Sequence, residues 1–84
     1  MKNKVWIITK YYYISQEGSE TEILKVFSDF DTAKRFFEEE TKFLQNEADY
    51  KLEKLPDGAL SVSGTGGIFG HTYFCFDMKP YELE

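Results

Sequence analysis

Apolar and polar positions divide this 84-residue chain into short alternating runs on either side of one helical stretch. Val5 to Ile14 (VWIITKYYYI) is dense in β-branched and aromatic residues and long enough for a strand. Its odd positions are Val5, Ile7, Thr9, Tyr11 and Tyr13, and its even positions are Trp6, Ile8, Lys10, Tyr12 and Ile14. Both faces therefore carry apolar bulk, which predicts a central strand or one whose second face is covered. Residues 15–20 (SQEGSE) are polar with one glycine and read as a hairpin loop, after which Thr21 to Phe27 (TEILKVF) runs back as an antiparallel strand.

Residues 28–49 (SDFDTAKRFFEEETKFLQNEAD) switch to helical spacing. Ser28 followed three residues later by Asp31 resembles a capping box, and Asp29 and Asp31 put negative charge at the positive end of the helix dipole. The helix is expected to start near residue 29. Phe30, Ala33, Phe37, Thr41, Leu44 and Ala48 make one stripe, with Phe36 and Phe43 on its flank as a broadened core or a contact patch. Glu38 to Glu40 fall away from the stripe and read as a solvated face.

Beyond the helix, Tyr50 to Leu55 alternates as a strand and Pro56-Asp57-Gly58 has the residue types of a turn. From Ala59 to Thr65, Leu60 and Val62 oppose Ala59, Ser61 and Ser63. In the last strand, His71 to Met78, Thr72, Phe74, Phe76 and Met78 oppose His71, Tyr73, Cys75 and Asp77. The expected architecture is α+β: one small domain over residues 1–84, order β-β-α-β-β-β, a mostly antiparallel sheet with one helix packed on one face.

Eight Phe, six Tyr and one Trp, 18% of the chain, supply the large side chains that so short a domain needs to bury sufficient area, and argue against disorder despite 30% charged residues. A net charge of −5 opposes attraction to phosphate backbones or anionic membranes, so neither nucleic acid nor membrane is an expected partner. The apolar run near the start, Val5 to Ile8, is too short for a signal peptide or a membrane span. A lone cysteine offers no internal disulfide and fits a reducing compartment, giving a cytoplasmic protein as the expectation.

The stretch GTGGIFGH, Gly64 to His71, is where chemistry would be sought first. Its glycines do not meet the spacing of either phosphate-binding loop, and the chain leaves them as a strand rather than as the helix whose N-terminus would hold the phosphates. A hairpin with an apolar tip, Ile68 and Phe69, is the structural reading. His71 and Cys75 share a strand face but stand about 13 Å apart at strand spacing, beyond the hydrogen-bond reach that a nucleophile and its base require. One His and one Cys give no chelating set, and none of the fifteen acids lies in an apolar setting that would raise a general acid's pKa. No catalytic, cofactor-binding or metal-binding residue is assigned, and an enzyme is not expected.

At ILKVFSDFDTAKRFFEEE the chain resembles small bacterial and phage domains of unknown function, in which a two-stranded opening ends in a Val-Phe/Tyr-Ser segment capping a helix with an early Ala. The matching positions are Val26, Phe27, Ser28, Ala33 and Phe37, within residues 4–48. The resemblance implies a helix crossing the sheet closely at Ala33, and no activity, substrate or cofactor.

The function expected is that of a non-enzymatic protein-binding or regulatory module acting through a sheet edge or aromatic surface, with a protein partner or a homodimer. Tyr11, Tyr12, Tyr13, Phe36, Phe43, Ile68 and Phe69 are the candidate contact residues. Two other readings are an acidic phage or mobile-element inhibitor that imitates nucleic-acid charge, and a small-ligand site at Gly64 to His71.

Overall fold

A computed structural model describes residues 3–14, 17–66 and 72–83 of the chain. These form β1 (Asn3–Ile14), β2 (Gly18–Phe27), α1 (Phe30–Thr41), β3 (Lys51–Lys54), β4 (Leu60–Gly66) and β5 (Thr72–Leu83), with short 3₁₀ turns at Lys42–Leu44 and Pro56–Gly58. The strands make one sheet in the order β2-β1-β5-β4-β3, with every neighbouring pair antiparallel. The expected α+β architecture is present, with its helix after the second strand. β1 lies inside the sheet between β2 and β5, as its two-sided apolar content predicts.

Alternation fixes the two faces. Trp6 and Ile8 of β1, Phe76 and Met78 of β5, and Val62 of β4 point to the helix side, where they bury Ala33 and Phe37 of α1 and Leu44 of the turn that follows. Ala33 is fully buried, the close crossing that a small side chain permits. Phe30 packs edge-on to Trp6, with ring centroids 4.9 Å apart, and Phe36 packs on Phe27 at 5.4 Å. Phe36 thus broadens the core. Thr41 is buried as well, and its hydroxyl donates to the Phe37 carbonyl 2.9 Å away, so its polar atom is satisfied.

Several local expectations are corrected. The helix cap is Asp29, not Ser28: Asp29 is extended, and its carboxylate accepts from the Thr32 amide at 2.8 Å and from the Thr32 hydroxyl at 2.7 Å. Those bonds, the hydroxyl's first, hold the Asp29 carboxyl below the usual carboxylate range. The α-helix ends at Thr41 and tightens into a 3₁₀ turn, so Leu44 remains in the buried stripe while Ala48 leaves it and is exposed. β2 begins at Gly18 rather than Thr21, and β5 runs to Leu83 rather than Met78. Pro80 is accommodated there because β4 pairs with β5 only as far as Met78, leaving the strand laddered to β1 alone. In the Pro56–Gly58 turn, Asp57 and Gly58 take positive φ of 64° and 83°.

β2 carries an irregularity that alternation does not foretell. Its register against β1 shifts between Ile8 and Thr9, so Val26 faces Ile7 while Ile23, three residues earlier, faces Thr9. The extra residue, Leu24, packs against the core, and Ile23 and Val26 both emerge on the face opposite the helix.

Candidate interaction surface

One helix covers one face, and the register defines what remains on the other. Val5, Ile7, Tyr11 and Tyr13 of β1 stand beside Tyr73, Cys75, Tyr81 and Leu83 of β5 and beside Ile23 and Val26 of β2. No described residue lies over them: Ile23 is 67% exposed, Val26 51%, Leu83 50% and Tyr81 49%. The rest of this open face is Asn3, Thr9, Ser19, Thr21, Ser61, Ser63 and Thr65, with four charged residues, Asp77, Lys79, Lys51 and Glu53.

The expected contact residues do not form one surface. Tyr11 and Tyr13 are on the open face. Tyr12 is on the helix side, where its hydroxyl donates to Glu20, and that bond raises the Tyr12 pKa above its ordinary value. Lys10 lies 5.5 Å from the centroids of both Tyr12 and Phe74, a cation held over ring faces beyond the end of α1. Phe36 belongs to the core margin, and Phe43 is half exposed but sits edge-on to Phe74 and Phe76, with centroids 5.1 and 6.0 Å away. Ile68 and Phe69 lie outside the described residues, as does His71. The open face also carries Val5, Ile7, Ile23, Val26, Tyr73, Tyr81 and Leu83, which are not among the expected contact residues. Odd parity in β1 and β5 signals five of them, whereas the shifted register conceals Ile23 and Val26.

Gly64 and Gly66 have a packing explanation. Both are buried on the helix side of β4. A Cβ on Gly64 would stand 3.5 Å from Asp49 Oδ1 and 3.6 Å from both Leu44 Cδ2 and Tyr50 Cα, and one on Gly66 would stand 3.4 Å from Leu44 and Phe43. The segment between helix and β3 thus crosses directly over these positions. Between them, Thr65 presents its amide to the Asp49 carboxylate, 3.0 Å from each oxygen, and its hydroxyl to Oδ2. β3 pairs with β4 only through Ser63, so Asp49 satisfies the β4 edge where the ladder stops.

The Thr65 hydroxyl first, and then its amide, hold the Asp49 carboxyl below the usual carboxylate range. A depressed folded-state pKa gives stabilisation that is complete above the unfolded value of about 3.9 and is lost as pH falls through the folded value. Asp49→Ala is therefore expected to speed hydrogen exchange at the Thr65 amide at neutral pH and to reduce the fall in stability below about pH 4. Unchanged exchange at Thr65, followed by NMR, would show that the clasp does not hold the edge.

Cys75 is half-buried, with Ser61 Oγ 3.9 Å from its sulfur. Burial, with Asp77 adding to it, pushes the Cys75 thiol up, the opposite of what an activated nucleophile needs. Among the described residues no group of three His, Cys, Asp or Glu side chains is placed to hold a metal ion. No described helix is long and apolar enough to cross a membrane. The chain matches no protein-family model, no curated protein and no solved structure.

Proposed function

We propose that this chain is a non-enzymatic protein-binding module of the cytoplasm and that its contact surface is the open face of the sheet. The observation that carries the reading is the contiguous run of Ile23, Val26, Ile7, Val5, Tyr81 and Leu83, an apolar surface opposite the only described α-helix. A sheet edge is less suited. β2 presents Glu20, Glu22 and Lys25 and a bulged backbone, and β3 is four residues long with a lysine at each end. The face offers no cationic excess to a phosphate backbone or an anionic membrane, whereas its apolar content suits a protein partner.

Cys75, the sole cysteine, lies on this face and reports on its coverage. Alkylation of Cys75 by a maleimide is compared in dilute purified protein and in cells producing it, each normalised to a Cys75→Ser/Glu39→Cys variant whose thiol sits on the exposed side of α1. The expected result is labelling about tenfold or more slower in cells, the exposed fraction falling as the face is occupied. Equal normalised rates would overturn the reading.

A further inference from the structure

We infer that the partner is a second copy of this chain, packed open face to open face about a two-fold axis that crosses β1 and β5 near their midpoints. The inference rests on the reading of the open face as the contact surface and names its occupant. Three observations carry it.

The first is charge. The chain carries −5, which sets copies repelling one another on average. Most of its strand and helix acids lie off this face: Glu20, Glu22 and Glu82 of the strands share the helix-side parity, and Asp31 and Glu38 to Glu40 belong to α1. At open-face strand positions there are two acids, Asp77 and Glu53, and two lysines, Lys79 and Lys51. The surface that two copies would share is electrically balanced although the molecule is not.

The second is area. β1 and β5 are each 12 residues long, about 40 Å at strand spacing, and four strands at about 4.8 Å spacing give a width of about 15–20 Å. Because β2 and β4 are shorter, at 10 and 7 residues, the footprint is about 650 Å² per copy, within the range of a standard stable interface, about 600–1,000 Å² per partner.

The third is the register. Lys51 and Glu53 are paired with each other at 2.9 Å, but among the described residues neither Asp77 nor Lys79 has an ion-pair partner. Both lie on β5, the central strand, two residues apart and on either side of Met78. A two-fold axis between the sheets, perpendicular to the strands at Met78, lays each β5 antiparallel over its counterpart. Asp77 then meets Lys79 of the second copy, and Lys79 meets its Asp77. The same operation sets Cys75 against Tyr81 of the second copy, Tyr73 against its Leu83, and, on β1, Val5 against its Tyr11. The apolar ends of the stripe thus meet apolar ends, and the two unmatched charges meet at the axis, in the aligned packing that twisted sheets adopt about 10 Å apart.

Sedimentation velocity from about 1 to 200 µM, with circular dichroism to confirm folding, tests this on four proteins. The wild type is expected to dimerise. Asp77→Lys, which gathers four lysines at the axis, and Lys79→Asp, which gathers four acids, are each expected to weaken the dimer about 30-fold or more. The double exchange Asp77→Lys/Lys79→Asp, which preserves the pairs, is expected to restore it. A wild type that stays monomeric throughout overturns the second copy as occupant; if Cys75 is still protected in cells, the face binds a different protein and the broader reading stands. A dimer that neither single exchange weakens, or that the double exchange fails to restore, overturns the two-fold geometry.

Discussion

Phe37→Ala is expected to cost about 3–5 kcal/mol of stability. Phe37 is 1% exposed and projects from α1 into the core it shares with Ile8, Phe76 and Met78 of the sheet floor. The loss combines the transfer free energy of a phenyl ring with a cavity that a β-sheet floor cannot collapse to fill. A domain of this length has about 4–13 kcal/mol in total, so the variant should unfold at a much lower urea concentration and melt well below the wild-type midpoint. Phe37→Leu should recover most of the loss, because it retains apolar volume at the same position. A midpoint shift worth less than about 1 kcal/mol would mean that α1 is not seated on the sheet through this side chain.

The second large effect is expected from Gly64, with a sharp dependence on side-chain size. Gly64→Ala should be near neutral, since a methyl group there makes ordinary contacts at 3.5–3.6 Å with Asp49, Leu44 and Tyr50. Gly64→Val should cost about 1–3 kcal/mol, because its branches have no space beneath the Tyr50 backbone and must lift the crossing segment off the sheet. Lifting that segment also pulls Asp49 away from Thr65, so accelerated exchange at the Thr65 amide should accompany the loss. Equal effects of Ala and Val, measured by chemical denaturation, would contradict a close crossing at this residue.

Much of the architecture was legible because alternation leaves little choice once one face is buried. Phe74, Phe76 and Met78 were assigned opposite Tyr73, Cys75 and Asp77, and they stand so. Helical spacing likewise found Ala33, Phe37, Thr41 and Leu44. What escaped depended on tertiary partners. Ser28 and Asp29 are equally good cap residues by type, and the position at which the chain turns into the helix decides between them. The Asp49 clasp joins residues 16 apart, and no local pattern announces it. Leu24 occupies a bulge that exchanges the faces of β2, so an alternation read through it misplaces Ile23 relative to Val26.

Residue type alone does not sort aromatic side chains by face, for a related reason. Grouping Tyr11, Tyr12 and Tyr13 by residue type joins side chains that the pleat sends to opposite faces. Phe36 and Phe43 share a helical flank, yet Phe36 meets Phe27 on the edge strand β2 and Phe43 meets Phe74 on the central strand β5. A surface is a property of register, and the non-aromatic members Ile7, Ile23 and Val26 become visible only once the strand pairing is known.

The pairing of Asn3 with Leu83 has a kinetic consequence. The β1–β2 and β3–β4 hairpins are local and can close early, but neither gives Phe37 its whole floor, since Phe76 and Met78 arrive with β5. During synthesis the two hairpins and α1 therefore lack a complete shared core until β5 has emerged. Core formation is then one late event that closes a loop of nearly the whole chain. Such non-local closure is slow, on the order of milliseconds to seconds.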